Sequence, residues 1–370
     1  MASTPKSHYH LHNHPDNSHL RWSRAIPPVL TVPSGAEITL ELPDGGGNQI
    51  TRENAAAGTA LSSFDLSRAD PGVGPVYVEG AEPGDVLRVD FLAIEPLVDF
   101  GWTAVFPGFG ILSDADEFAA NVGPGALKIL DLGRPGQEDW VADRGYIVFP
   151  TTRTKNLVGK EGEGQGEEEE IRIPYRPFLG LVGVAPAEGE YPMIPPLDTG
   201  GNIDTRWLGV GSALFLPVKV PGALLSLGDG HAAQGDGEVC GTAVETRMRA
   251  TIRVTVEKGA SKSWVKSPWV LTAAAKRDEG APAAAVRGQG GEGREFMCLG
   301  VDGELRRAAK KAVSGVIDWL EAEKGMDRTE AYMLVSLAGH LRMCEVVDMP
   351  NYAVGCAVPL DIFVRLPEER

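Results

Sequence analysis

Cysteine is scarce in this 370-residue chain, which has four: Cys240, Cys298, Cys344 and Cys356. None belongs to a CxxC pair, and none has zinc-finger spacing, so the sequence offers no cysteine-based metal or redox motif. Reduced, buried thiols of a cytosolic protein are the favoured interpretation. The cysteines therefore indicate a cytoplasmic protein without a disulfide framework.

Long apolar runs are missing as well. No run reaches the roughly 18 apolar residues that a membrane-crossing helix needs. The first 22 residues lack the apolar segment of a secretory signal, and the final LPEER matches no retention or peroxisomal address. We therefore expect a cytoplasmic location and no membrane partner.

Positive charge is in deficit, with 35 Lys and Arg against 51 Asp and Glu and a formal net charge of −16. A uniformly acidic surface repels phosphate backbones, so nucleic acid is not expected as a partner. A small-molecule substrate remains the expected partner.

Glycine and proline are abundant, at 46 and 27 residues, and they separate many short strand signals. Residues 36–42 alternate polar and apolar side chains, and 74–80 and 85–94 form two more strand patterns joined by a turn. Strands at this spacing predict a β-sandwich or jelly roll.

Two helices are predicted near the C-terminus. Residues 302–324 place apolar side chains at 3–4 spacing, with Gly325 as the stop, and a second helix runs from Asp327 or Thr329 to Leu337. The fold class is therefore mainly β (α+β), a β-sandwich domain plus a second β-rich domain with a small C-terminal helical layer. The predicted organisation is a flexible His-rich tail (1–18), an N-terminal β-sandwich part (19–150), a flexible acidic insertion (151–172), a site-bearing β region (173–258), a partly flexible loop (259–295) and a C-terminal α+β part (296–370).

The densest chemistry lies in residues 226–241, which hold Asp229, His231, Asp236 and Glu238 among five glycines. Residues i and i+2 of an extended chain point to the same side, which pairs Asp229 with His231 and Asp236 with Glu238. Zinc binds both imidazole nitrogens and carboxylate oxygens, whereas calcium binds oxygen ligands only.

Asn202 and Asp204 form a similar pair, so Asp204, Asp229 and His231 are predicted to bind a divalent metal, zinc or alternatively calcium. Glu238 is the predicted general base, and His231 is also placed among the catalytic residues. Two alternatives stay open: glycine-rich acidic segments often form simple turns, and Cys240 could be a nucleophile with His231 as its partner.

Aromatic side chains in residues 100–110 suit either the wall of a small-molecule pocket or ordinary loop packing. On the first interpretation Trp102 and Phe109 contact the substrate. Asn202 and Gln234, which neighbour the predicted ligands, complete the predicted substrate-binding set.

Several segments, in a consistent order, resemble the acetamidase/formamidase family. They are GPVYVEGAEPGD at 74–85, GWT at 101–103, PGFG at 107–110, RPFLGLVGVAP at 176–186, GGNID at 200–204 and GDGHAAQGDGEVCGTA at 228–243. The resemblance spans roughly residues 19–363. It implies a β-sandwich with a second β-rich domain, associated metal ions, a homodimer or higher homo-oligomer, and hydrolysis of short linear amides such as formamide or acetamide to ammonia and a carboxylate.

The resemblance also adds two candidate site residues. His19 lies in an element similar to the family's His-x-Arg-Trp, which makes it a catalytic candidate. Asp70 stands where members often carry a histidine, so it is a candidate fourth metal ligand with a harder oxygen donor.

Two departures, Asp70 and the pair Cys344-Glu345 in place of Ser-Gln, keep other functions open. One is a lyase, cyclase or hydrolase that acts on a larger specialised metabolite. Another is a non-catalytic binding protein on the same scaffold.

Overall fold

The computed structural model describes residues 8–113, 125–150, 170–274 and 293–363, which are mostly strands. In chain order the strands are β1 His8–Leu11, β2 Ser18–His19, β3 Trp22–Ser23, β4 Leu30–Pro33, β5 Glu37–Leu42, β6 Gly72–Glu79, β7 Val86–Pro96, β8 Phe100–Val105, β9 Ala126–Asp131, β10 Tyr146–Val148, β11 Arg172–Pro174, β12 Phe178–Val184, β13 Glu190–Tyr191, β14 Gly200–Asn202, β15 Ala213–Pro217, β16 Leu225–His231, β17 Met248–Glu257, β18 Trp269–Leu271, β19 Glu295–Asp302, β20 His340–Glu345 and β21 Tyr352–Pro359. The α-helices are α1 Arg52–Ala56, α2 Val141–Arg144, α3 Leu305–Lys324 and α4 Arg328–Ala338.

The larger sheet has nine strands in the order β1-β5-β17-β7-β15-β18-β19-β21-β20. Strand β5 has the sequence EITLEL, and its residues alternate between half-buried and buried. That alternation confirms the half-buried strand predicted at 36–42, because one face of the strand meets the core and the other is partly solvated.

The smaller sheet has six strands, β14-β12-β16-β6-β2 with β4 parallel to β6. Every residue of β12 and β16 is buried. The core between the two sheets takes Ile38 and Phe91 from the larger sheet and Leu179 and Leu227 from the smaller one. The predicted β-sandwich is confirmed.

The helical layer covers the other face of the larger sheet. Phe296 and Cys298 of β19 pack with Trp319 of α3, whereas Met297 and Leu299 of the same strand belong to the sandwich core. Alternate residues of β19 thus serve two cores, as the pleat of a strand requires.

Both predicted helices are confirmed. Helix α3 ends at Gly325, whose φ of 64° is left-handed and disfavoured for residues with a Cβ. Helix α4 begins after Asp327, whose side chain accepts hydrogen bonds from the backbone N–H groups of Thr329 and Glu330.

Part of the N-terminal segment that was predicted to be a flexible tail (1–18) forms a strand. Residues His8–Leu11 pair in parallel with β5, and Leu11 packs against the core, which anchors the segment. Most of the predicted acidic insertion (151–172), and residues 275–292 of the loop predicted at 259–295, lie outside the described residues. Regions 19–150 and 173–258 each contribute strands to both sheets, so they share one core.

None of the helices that the structure describes is both long and apolar enough to cross a membrane.

Candidate active site

One end of the smaller sheet gathers most of the predicted site residues. Asp229 and His231 lie at the end of β16, Asp204 follows β14, and Asp70 precedes β6. Because β16 runs antiparallel to β6 and β12, its end lies beside the start of both strands. Glu238 and Glu245 reach the same place from the loop after β16.

These side chains form what we call the acid cup, defined as Asp70, Asp204, Asp229, His231, Glu238 and Glu245. The acid cup lines one part of a cavity of about 270 Å³. The remaining described lining residues are Gly45, Gly46, Leu61, Phe64, Leu66, Ala69, Trp102, Phe106, Pro107, Gly108, Phe109, Ile194, Asn202, Gly241, Thr242 and Asp348. No lysine or arginine appears among them, so the described lining is strongly acidic.

His231 is buried at the centre of the acid cup. Its Nε2 lies 2.9 Å from Asp229 Oδ1 and 3.2 Å from Glu245 Oε1, and its Nδ1 lies 2.9 Å from Gln234 Oε1. Gln234 Nε2 donates to the backbone oxygen of Asp204, so its Oε1 is the atom that faces the imidazole. Both ring nitrogens therefore meet acceptors, an arrangement that suits a protonated imidazolium.

The charge of the neighbours agrees with that protonation state. Burial lowers the pKa of His231, but Asp229 and Glu245 more than offset burial and raise the pKa well above its usual value. His231 in turn lowers the pKa of Glu245 against the opposing effect of burial. One imidazolium and one carboxylate thus stabilise each other at a buried position.

The other acids of the cup carry charge that this pair does not balance. Burial, and then the neighbouring carboxylates, raise the pKa of Asp70, Asp204 and Glu238 well above the usual value for carboxyl groups. Burial likewise raises the pKa of Asp229 to about 7. So many buried carboxyl groups need protons or a cation for charge balance.

Two glycines make room for these carboxylates. A Cβ on Gly45 would lie 2.7 Å from Asp229 Oδ1, 3.0 Å from Glu245 Oε2 and 3.1 Å from Asp70 Oδ1. A Cβ on Gly180 would collide with Asp204 Oδ1 and Asp229 Oδ2. The carboxylate oxygens therefore converge on positions that only glycine leaves open.

Backbone strain is concentrated in the same place. Seven described non-glycine residues have positive φ, and four of them are Asp70, Asp204, Asp229 and Glu238, at 51°, 38°, 53° and 47°. Such conformations are costly for residues with a Cβ and persist where the surrounding structure enforces them. The strain turns these acids toward the cavity, which simple strand alternation does not achieve.

The acid cup fits a divalent metal. Asp204, His231 and Glu238, and likewise Asp229, His231 and Glu245, bring ligand atoms within 4.8 Å of one another. Within the described part of the chain, neither carboxylate oxygen of the buried Asp204 has a hydrogen-bond partner. Buried carboxylates without donors are the groups that a cation satisfies.

The structure brings together all the predicted metal ligands, Asp70, Asp204, Asp229 and His231, and places Glu238 beside them. Its Oε1 lies 3.9 Å from His231 Nε2. Trp102, Phe109 and Asn202, which were predicted to bind substrate, also line the cavity.

Two predicted site residues lie elsewhere. Gln234 does not line this cavity, and its Oε1 instead forms a hydrogen bond with His231 Nδ1. His19 lies 2.7 Å from Ser226 Oγ, and its ring packs edge-on against Trp22. Burial lowers the pKa of His19 to about 4, which fits a neutral side chain in a packed setting.

Two further members of the acidic segment also point away from the cavity. Asp236 Oδ1 lies 2.5 Å from Arg206 Nε in an ion pair. Of the predicted pair Asp236 and Glu238, only Glu238 therefore belongs to the acid cup. Cys240 Sγ donates to the backbone oxygen of Thr242 at 3.4 Å and lines a separate cavity, away from His231. This placement gives no support to a cysteine nucleophile with His231 as its partner.

Sequence reasoning missed Glu245 and Asp348. Glu245 is held by paired backbone hydrogen bonds with Trp102, and Asp348 accepts a hydrogen bond from Asn202 Nδ2 at 3.1 Å. Glu345 was noted only as a departure, yet its Oε2 accepts from the backbone N–H groups of Val347 and Asp348 and shapes that turn. The difference from the family at Cys344-Glu345 was the one sequence feature that indicated this part of the site.

The chain is similar to known amidases in sequence and in fold. The profile of the Acetamidase/Formamidase family matches residues 6–190 and 185–365. The chain is 29% identical to a formamidase of Methylophilus methylotrophus over 93% of this chain and 89% of that protein, and 31% identical to an acetamidase of Mycolicibacterium smegmatis over 66% and 67%. The solved structure of an acetamidase from Yersinia enterocolitica superposes with a TM-score of 0.76 at 26% identity, covering 98% of this chain and 95% of that one.

The two matched segments of the profile together span nearly the whole chain. The chain belongs to the acetamidase/formamidase family.

Proposed function

We propose that this chain hydrolyses a linear amide to a carboxylate and ammonia with the help of a divalent metal held in the acid cup. Family membership makes the chain a hydrolase of carbon–nitrogen bonds in linear amides. The proposal adds the cation and the roles of individual residues. The observation that carries it is the convergence of Asp204, Asp229 and His231 beside Glu238 in one buried cavity.

Asp204, Asp229, His231 and Asp70 would hold the metal, with Glu245 beside them. His231 would bind as the neutral imidazole, having released the proton that it holds between Asp229 and Glu245 when no cation is bound. A divalent cation supplies positive charge that balances the carboxylates and polarises a substrate carbonyl. One imidazole with carboxylates suits zinc, whereas the all-oxygen group around Gly45 suits calcium. Elemental analysis of the purified protein distinguishes the two.

Glu238 is the general base of this proposal. It takes a proton from the water that attacks the amide carbon and passes a proton to the nitrogen as the carbon–nitrogen bond breaks. Burial and the neighbouring carboxylates raise the pKa of Glu238, and a raised pKa makes its carboxylate a stronger proton acceptor.

The remaining residues position the reacting groups. Asn202, Trp102 and Phe109 line the cavity and contact the bound amide. Gln234 orients His231 through its hydrogen bond to Nδ1. His19 supports β16 through Ser226, away from the reacting atoms.

A homodimer or higher homo-oligomer is part of the proposal. Helix α4 and strand β20 carry exposed apolar side chains at the edge of the larger sheet, including Tyr332, Leu337 and Leu341. Exposed apolar groups beside an edge strand are typical of a surface that another chain covers. Light scattering of the purified protein measures the oligomer.

Ammonia release measured together with metal content tests the proposed function. The expected result is about one or more divalent ions per chain and ammonia release that chelation abolishes and the metal restores. Full activity after complete removal of metal would contradict metal assistance.

A further inference from the structure

We infer that the preferred substrate is a primary amide whose acyl group is apolar and clearly larger than acetyl, such as a medium-chain or arylacetic amide. This inference rests on the proposed amidase function and specifies its substrate class. It comes from the part of the cavity that the acid cup does not occupy.

That part is an apolar wall, defined as Leu61, Phe64, Leu66, Phe106 and Phe109. The rings of Phe64 and Phe106 lie 4.8 Å apart, and Phe64 lies edge-on to Trp102 at 6.4 Å. The wall residues are only partly buried, and 56% of Leu66 is exposed. Apolar surface that stays in contact with water is available for an apolar ligand.

The apolar wall begins immediately beside the acid cup. A Cβ on Gly45 would meet Asp229, whereas a Cβ on the next residue, Gly46, would lie 2.7 Å from Trp102 Cζ2 and 3.1 Å from Phe64 Cε2. Adjacent Cα atoms are about 3.8 Å apart. An amide group at the acid cup therefore places its acyl chain directly against the wall.

The size of the cavity points the same way. A cavity needs about 10–15 Å³ to hold one water, so the four non-hydrogen atoms of acetamide would leave most of the 270 Å³ filled with water. An acyl chain of five or six carbons, or a phenyl ring, would replace that water and cover the wall.

The polar end of the cavity suits an unsubstituted amide nitrogen. Asn202 is buried and lines the cavity, and its Nδ2 is committed to Asp348 Oδ2 at 3.1 Å. Its Oδ1 has no hydrogen-bond partner among the described residues. A carbonyl oxygen held in this way accepts a hydrogen bond from an N–H group, which a primary amide provides.

The test compares kcat/KM for formamide, acetamide, butyramide, hexanamide and phenylacetamide with the metal-loaded protein. We expect kcat/KM to rise about fourfold for each added methylene that reaches the wall, and by more than about 50-fold from acetamide to phenylacetamide. A kcat/KM that is highest for formamide or acetamide would overturn the inference and leave the proposed function standing.

Three variants localise the effect. Leu61→Trp fills the wall side and is expected to lower kcat/KM for phenylacetamide more than tenfold while that for acetamide changes less than about threefold. Leu66→Ala removes a mostly exposed wall side chain and should lower kcat/KM several-fold for hexanamide only. The matched control Leu305→Ala, at a residue that is 38% exposed at the start of α3, should change kcat/KM for neither substrate. If Leu61→Trp lowered kcat/KM equally for phenylacetamide and acetamide, the apolar wall would not be the site that binds the acyl group.

A binding measurement covers the case in which no amide is hydrolysed. Calorimetry with metal-loaded Glu238→Gln protein should show phenylacetamide binding more than tenfold tighter than acetamide. That result with no turnover would overturn the proposed reaction and support the wall, whereas equal or absent binding would overturn the inference itself.

Discussion

The acid cup and the α3 layer lie on different faces of the same protein and follow opposite rules. In the α3 layer, apolar side chains recur at helical spacing, a left-handed glycine ends the helix, and Trp319 packs on Phe296. In the acid cup, acids replace apolar residues at buried positions and four of them have strained backbones. In the α3 layer the residues favour the backbone conformation and the burial that the fold gives them. In the acid cup the fold imposes burial and backbone conformations that its residues disfavour, which is typical of a functional site.

The strongest test of this contrast is Glu238→Gln. The variant loses the proposed base, so kcat should fall by about 10²–10⁴, while stability should hold because a buried group with a raised pKa becomes permanently neutral. The measurements are ammonia release and thermal unfolding. The matched control is Asp236→Asn, because Asp236 lies in the same loop but pairs with Arg206. Its kcat should stay within about twofold of that of the parent protein.

Gly180→Ala should abolish metal binding, because the new Cβ collides with the facing carboxylate oxygens of Asp204 and Asp229. Activity should fall in parallel with the metal content measured by mass spectrometry. The comparison variant is Gly315→Ala in α3, whose Cβ would collide with Cys298 Sγ.

Gly315→Ala should instead cost about 1–3 kcal/mol in the free energy of unfolding and leave the metal content of the folded protein unchanged. If both glycine variants lost metal alike, the division of roles between the two regions would be wrong.

Chelation should destabilise the protein, because a ligand that binds only the folded state stabilises it by about 2.7 kcal/mol at 100 times its Kd. We expect chelator to lower the thermal midpoint by several degrees and re-addition of metal to restore it. In Gly180→Ala the chelator should have no effect, and a shift there as large as in the parent protein would place the metal elsewhere.

His19 gives the smallest expected effect, and it concerns pH. The pKa of His19 is lowered by burial to about 4 from 6.5. The unfolded state therefore binds more protons between these values, so the stability that neutral His19 contributes is complete above pH 6.5 and is lost as the pH falls toward 4.

Between pH 7 and pH 4.5 the parent should lose up to about 2 kcal/mol more unfolding free energy than His19→Gln, measured by urea denaturation. Ammonia release by His19→Gln at pH 7.5 should stay within about fivefold of the parent. A loss of 10³-fold or more in a fully folded variant would return His19 to the catalytic residues.

Much of the fold could be predicted from local patterns. The alternation in 36–42 and the 3–4 spacing in 302–324 correspond to β5 and α3, because a strand or helix at a core boundary must turn its apolar side inward. The β1 strand could not be predicted, because its polar sequence HYHL pairs through the backbone with β5 and shows little apolar pattern.

The candidate site could be predicted only in part. Asp204, Asp229, His231 and Glu238 stand out as acids and an imidazole among glycines, and the family resemblance added Asp70. Glu245 carries no such local signal, because its position depends on backbone hydrogen bonds to Trp102, more than 140 residues away in sequence.

By itself, the sequence determined strands with a clear apolar alternation such as β5, the helices α3 and α4, the family and most of the acids, since each of these depends on neighbouring residues or on a linear motif. Only the tertiary structure decided that Asp236 faces Arg206, that Gln234 lies behind His231, and that an apolar wall lies beside the acid cup. The physical reason is that side-chain direction depends on backbone strain and on strand pairing between distant segments, and neither is encoded in residue spacing.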